Sequence, residues 1–296
     1  MQPGRPPPAA HVRYGHQVGS TRKLFTALTR RGPHRVLRGD LAFAGLPGVV
    51  YTPESGLNLP AVAFGHDWVT PVSHYRRLLE HLASWGIVAA APNTERSVAP
   101  SVLNLAFDMG TALDIASGVR LGPGRISVHP TKLGLAGHGF GASAAVFAAA
   151  GMPTKPRAVA AVFPTVTSPS ARQPAADLPV PAMVLATADD ATGLRCDAAG
   201  LARAWPHAVL RTVAKSDIAG PVEGRRLTRL LGLPGGDRGT QKTVRALLTG
   251  YLLYELSGDK TYRDFADPDV VLPKTTETDS DADPASIEDR VVALLR

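Results

Sequence analysis

The residues best suited to chemistry are gathered in residues 131–145, TKLGLAGHGFGASAA. An apolar strand ends at Gly137, a glycine-rich corner follows, and a helix of small residues begins. This is the layout of a nucleophile elbow, in which G-x-S-x-G holds a serine on a strained strand-to-helix turn for acyl transfer. Here the pentapeptide is Gly137-His138-Gly139-Phe140-Gly141, so glycine stands at the nucleophile position. Ser143 is the substitute hydroxyl, in Gly141-Ala142-Ser143-Ala144-Ala145. The strand-aligned register puts it four residues after Gly139, one turn into the helix, where a small residue serves packing. Moving the elbow to Ser143 would extend the strand through Gly137, Gly139 and Gly141, which strand interiors disfavour.

The elements around this corner follow from hydrophobic pattern. Residues 59–64 (LPAVAF) and 86–91 (GIVAAA) read as buried strands. Between them, residues 74–85 place Tyr75, Leu78, Leu79 and Leu82 at helical spacing. Residues 98–118 read as a second helix, 132–136 as a strand and 142–150 as a helix. Strands at 157–163, 181–186 and 208–213 follow, with a helix near 196–204 and a final one over 242–256. Continuous apolar strands separated by helices predict a mostly parallel sheet covered on both faces, a three-layer α/β fold.

With these elements in order, the chain resembles the α/β-hydrolase superfamily over about residues 46–268. It looks most like the branch of cutinases, dienelactone-hydrolase-like proteins and chlorophyllase-like proteins. Residues 61–68 (AVAFGHDW) are similar to the strand and oxyanion loop, and 82–93 (LASWGIVAAAPN) to the next strand. Residues 128–141 (VHPTKLGLAGHGFG) resemble a V-D-P-x-R-L-G-x-x-G-H-S-x-G run, and 180–192 (VPAMVLATADDAT) the strand bearing the acid. The resemblance implies a Ser-Asp-His triad and an oxyanion hole. Asp190 falls on the acid position, Gly139 on the nucleophile and Asp217 where histidine is expected. His66 and Phe140 match the two residues whose backbone N–H groups form the oxyanion hole.

Of the triad only the acid remains. Glycine has no atom with which to form an acyl-enzyme, and a carboxylate at Asp217 cannot act as base and then acid near neutral pH unless its pKa is raised considerably. Glycine does suit the elbow as backbone, because it relieves the strain a side chain would carry there. The expectation is a related fold that has lost its catalysis and binds a small ester, carboxylate or lipid-like ligand, or a protein partner. Two alternatives stand beside it. One is an active ester hydrolase or acyltransferase using Ser143 or an unusual acid–base pair; the other is an interaction protein acting through a basic arm. His66, Asp67, His138, Asp190 and Asp217 could surround the vacated site, but their spacing matches no usual zinc pattern, so neither metal nor cofactor is expected. Cys196, the single cysteine, excludes an internal disulfide and reads as packing.

Charge separates the ends from the body. Residues 1–40 hold eight basic side chains against Asp40 alone, a net +7 equal to that of the whole chain. Residues 275–296 hold six acids against Arg290 and Arg296, a net −4. The body is close to balanced, which argues against nucleic acid as its partner. The expected organisation is a basic, partly disordered arm over 1–33, an α/β domain over 34–270, and an acidic tail over 271–296. Within the tail, Ser286 and Asp289 resemble a capping box for a final short helix. Disorder is expected from Met1 to about Gly19. Residues 21–31 (TRKLFTALTRR) read as a short basic amphipathic helix, either touching anionic lipid, RNA or the acidic tail, or resting on the domain through Leu24, Phe25 and Leu28. No uninterrupted apolar run reaches a membrane span and no secretory h-region follows the basic residues, so the expected compartment is cytoplasmic.

Overall fold

The computed structural model describes residues 11–190, 196–224 and 235–276, with side chains from Gly19 onward. One mixed sheet of nine strands carries the fold. In chain order these are β1 (Val36–Asp40), β2 (Gly48–Pro53), β3 (Gly56–Gly65), β4 (Val88–Pro92), β5 (Ile126–His138), β6 (Ala158–Val162), β7 (Ala182–Ala186), β8 (Ala208–Val213) and β9 (Thr275–Thr276). Their spatial order is β1-β2-β4-β3-β5-β6-β7-β8-β9. The six from β4 to β8 run parallel, while β1 and β2 at one edge and β9 at the other pair antiparallel.

Helices cover both faces, giving three layers. On one face α1 (His11–Leu28) and α2 (Arg76–Ser84) pack on the long α7 (Arg238–Ser257). On the other, α3 (Val102–Gly118), α4 (Phe140–Gly151), α5 (Arg172–Ala176) and α6 (Ala198–Ala204) pack in succession. The central strands are built from small and branched apolar residues buried on both sides; Ala61, Val62, Ala63 and Phe64 of β3 have no exposed surface. Side chains start the helices where the sequence offers caps. Ser101 accepts the Asn104 N–H at 3.2 Å before α3, and Asp237 accepts the Thr240 N–H at 2.7 Å before α7. Each such cap contributes about 1 kcal/mol.

The expected α/β class is what the chain adopts, with differences in detail. β1 and β2 lie outside the expected elements, because β1 alternates half-buried and exposed residues and forms no apolar run. β5 begins at Ile126 rather than Lys132, its first half being partly exposed. α1 begins at His11, inside the stretch expected to be disordered, and ends at Leu28. Phe25 and Leu28 join the core, and Thr21 donates through its hydroxyl to the Asp264 carboxylate, so the arm rests on the domain. The capping box at Ser286 and the helix after it lie outside the described residues.

Topology locates the place for a site. The chain builds β4 on one side of β3 and then crosses to build β5 on the other. In open α/β sheets a ligand crevice forms at such a reversal, outside the carboxyl ends of the strands. Those ends are Gly65 of β3 and His138 of β5, the residues flanking the glycine-rich corner.

Candidate functional site

Three glycines let α4 sit directly on the strand ends. A Cβ at Gly137 would lie 2.1 Å from the Gly141 carbonyl oxygen, and one at Gly141 would lie 2.2 Å from the Gly65 carbonyl oxygen. Between them, Gly139 has φ +56° and ψ −117°, a conformation that strains any L side chain. The corner therefore keeps the strand–turn–helix geometry of an elbow, with no side chain at its apex.

A carboxylate from the neighbouring strand fills the space. Asp67, two residues past the end of β3, places Oδ1 2.0 Å from where a Cβ on Gly139 would stand. The same oxygen accepts the Phe140 backbone N–H at 3.0 Å. Phe140 is one of the two expected oxyanion donors, so its N–H is already engaged by a carboxylate of the chain itself. Asp67 is in turn fixed from behind, its backbone N–H donating to the Tyr75 hydroxyl at 3.1 Å.

Tyr75 begins a buried relay. Its hydroxyl lies 2.8 Å from His138 Nδ1, and His138 Nε2 lies 2.7 Å from the Ile218 carbonyl. Because a carbonyl can only accept, Nε2 carries the proton, and Nδ1 accepts from Tyr75. Burial pushes the His138 imidazole below its ordinary value, opposed by the charges of Asp67 and Asp217 and by the Ile218 carbonyl. His138 is thus a neutral strut that ties the loop after β8 to the end of β5. His66 is fully buried; its Nδ1 lies 2.9 Å from the Asp67 carbonyl and its Nε2 2.7 Å from the Thr94 carbonyl. Both ring nitrogens face backbone, which leaves neither for a substrate or a metal.

The remaining expected residues divide. Asp217 lies on the loop that His138 anchors and is near enough to act on its charge, so the structure brings it to the corner. Its Oδ1 accepts the Ala219 N–H at 2.7 Å. Asp190 is turned elsewhere: Oδ1 accepts from Ala198 at 3.2 Å and Oδ2 from Ala199 at 2.9 Å, the first N–H groups of α6. The Cys196 thiol is pushed well above its ordinary value, first by burial and then by Asp190, so it stays a thiol and packs. Ser143 is 1% exposed and donates to the Thr165 carbonyl at 2.6 Å. The crevice beside it holds about 10 Å³, no more than one water needs. Among the described residues no three His, Cys, Asp or Glu side chains gather as a metal-ligand set.

No protein-family model and no curated protein matches this chain. The arrangement itself therefore carries the reading. It can hold a negative charge at a backbone donor, and it already does so with Asp67. Sequence reasoning placed Asp67 near the site but missed that it would occupy it. The available signal was the pairing of a side-chain loss at Gly139 with an acid two residues past Gly65, the partner of Gly137 across the sheet.

Proposed function

We propose that this chain is an α/β-hydrolase-fold protein related to ester hydrolases of the cutinase and dienelactone-hydrolase-like branch, and that it has exchanged catalysis for binding. The observation that carries the reading is the Asp67 carboxylate, which stands where a nucleophile would stand and accepts the Phe140 N–H. An acyl group cannot approach this corner without displacing Asp67, and no oxygen or sulfur at residue 139 could attack it. Asp190, the expected acid, is engaged by the N–H groups of α6 rather than by a histidine. The mostly parallel sheet and the Gly137–Gly141 corner at its reversal point support the relationship to hydrolases. Such a protein binds a small ligand or a partner on this framework. No described helix is long and apolar enough to cross a membrane, in keeping with the cytoplasmic residence we propose.

Short-chain p-nitrophenyl esters test the reading, with the Ser143→Ala variant run beside the natural chain. Turnover equal to buffer for both is the expected result. Turnover by the natural chain that Ser143→Ala abolishes would overturn it in favour of an active hydrolase.

A further inference from the structure

We propose that the free edge of β1 pairs with the same edge of a second copy of this chain, antiparallel about Gly39, with Arg38 of each copy facing Asp40 of the other. β1 is the outermost strand, four places from β5 in the sheet. The proposal therefore does not depend on how the Gly139 corner is read.

The backbone of β1 offers the pairing groups. The strand pairs on one side only, with β2. Just before it, the Glu54 N–H donates to the Arg35 carbonyl at 2.8 Å. Hydrogen-bonded positions alternate along an antiparallel pair, so Leu37 and Gly39 also turn their backbone groups toward β2. Val36, Arg38 and Asp40 turn theirs away from the sheet. The Asp40 carbonyl already accepts within the 3-10 turn Leu41–Ala44 that Asp40 caps. The N–H groups of all three residues and the carbonyls of Val36 and Arg38 have no backbone partner among the described residues. An open edge of this kind is a template for another strand.

The side chains choose the partner and the register. Arg38 and Asp40 are exposed, stand on one face of the strand two residues apart, and form no ion pair with any described residue. Asp40 accepts the Ala42 N–H through Oδ1 at 2.9 Å, which leaves Oδ2 for a cation. Their face is open: a groove of about 500 Å³ lies between it and α2, walled by Tyr51, Val72 and Arg76. When two copies of β1 meet antiparallel about Gly39, each Arg38 lies opposite the partner's Asp40, and each Asp40 N–H meets the carbonyl of the partner's Arg38. Centring the pair on Arg38 instead would set two arginines face to face, which like-charge repulsion disfavours. Opposite charges two residues apart thus make the strand complementary to itself, as a two-fold contact requires. Gly39 on the axis brings no side chain to the contact. Phe43, 70% exposed in the turn that follows the strand, adds apolar surface beside it.

Sedimentation equilibrium of the full chain over a range of concentrations measures the association. We expect a reversible dimer that added salt weakens, because its ion pairs are exposed. Arg38→Asp and Asp40→Arg each turn both facing pairs into like charges, and each should raise the dissociation constant about tenfold. The combined Arg38→Asp, Asp40→Arg chain exchanges the two charges and should recover the natural constant. Asp40→Arg also removes the contact to Ala42. Should it fold poorly by circular dichroism, Arg38→Asp, which breaks no described hydrogen bond, still reads the interface. A chain that stays monomeric at every concentration would overturn the proposal, as would a dimer that Arg38→Asp leaves unaltered. A doubly substituted chain that folds normally and fails to recover the dimer would refute the pairing of Arg38 with Asp40.

Discussion

With a carboxylate oxygen 2.0 Å from where a Cβ on Gly139 would lie, positions 67 and 139 constrain each other. A serine at 139 must push Asp67 aside and also adopt a left-handed φ. Gly139→Ser alone should therefore destabilise the chain by about 1–3 kcal/mol. In the Asp67→Ala background the collision is gone and only the backbone strain remains. Urea unfolding of the two single variants and the double variant should give a favourable coupling of roughly 1 kcal/mol. Strictly additive effects would show that Asp67 does not fill the corner. His81 supplies a second prediction at this scale. Burial, aided by the Arg245 charge, pushes its imidazole down from 6.5 to about 4. Between those values the unfolded chain takes up a proton that the folded chain does not, so stability falls as pH drops through 6.5 toward 4. The loss is complete below 4 and amounts to roughly 3 kcal/mol at most. Glu223, raised by burial, acts in the opposite sense just above its ordinary range. His81→Phe removes only the histidine contribution, so the difference in unfolding free energy between natural and variant chains should shrink as pH falls from 7 to 4. A pH-independent difference would refute the assignment. The glycine at the apex of the corner was legible in the spelling Gly137-His138-Gly139, while the carboxylate that fills the space beside it was not. Asp67 reaches Phe140 across 73 positions of chain, and no local pattern encodes that contact.

At the scale of elements, the corner is made by glycines that let α4 rest on β3 and β5, and this much the sequence displays openly. The parallel strands β3 to β8 were legible because strands buried on both faces read as unbroken apolar runs. β1 was not, because an edge strand such as VLRGD mixes Arg38 and Asp40 with apolar residues, and β2 (GVVYTP) offers an apolar run of only three residues. The arm was legible in part. Leu24, Phe25 and Leu28 offered it a seat on the domain, and Leu28 has no exposed surface, while the contact in which the Trp85 indole donates to the Arg30 carbonyl at 3.1 Å has no signal in the sequence. Composition reports charge, whereas burial depends on the few apolar residues that meet α7. Leu28→Ala should accordingly cost about 2–5 kcal/mol, the range for emptying a fully buried leucine site. Thermal or urea unfolding measures it. A change below about 0.5 kcal/mol would mean that α1 is not part of the folded core.

For the whole molecule, the charge of the chain and the chemistry of its centre belong to different places. Residues 1–40 account for a number equal to the net +7, and the corner at the sheet reversal carries a carboxylate beside a glycine. The α/β framework thus holds the corner at its sheet reversal closed with its own carboxylate. That closure is why we propose binding rather than catalysis for this chain. The central claim is that no residue of this chain acts as an acyl-accepting nucleophile. Its most direct test is the intact mass of the full chain after prolonged treatment with a serine-directed fluorophosphonate, with peptide mapping of any adduct. The account predicts an unmodified mass; a stoichiometric adduct at Ser143 or at any other single serine would contradict it.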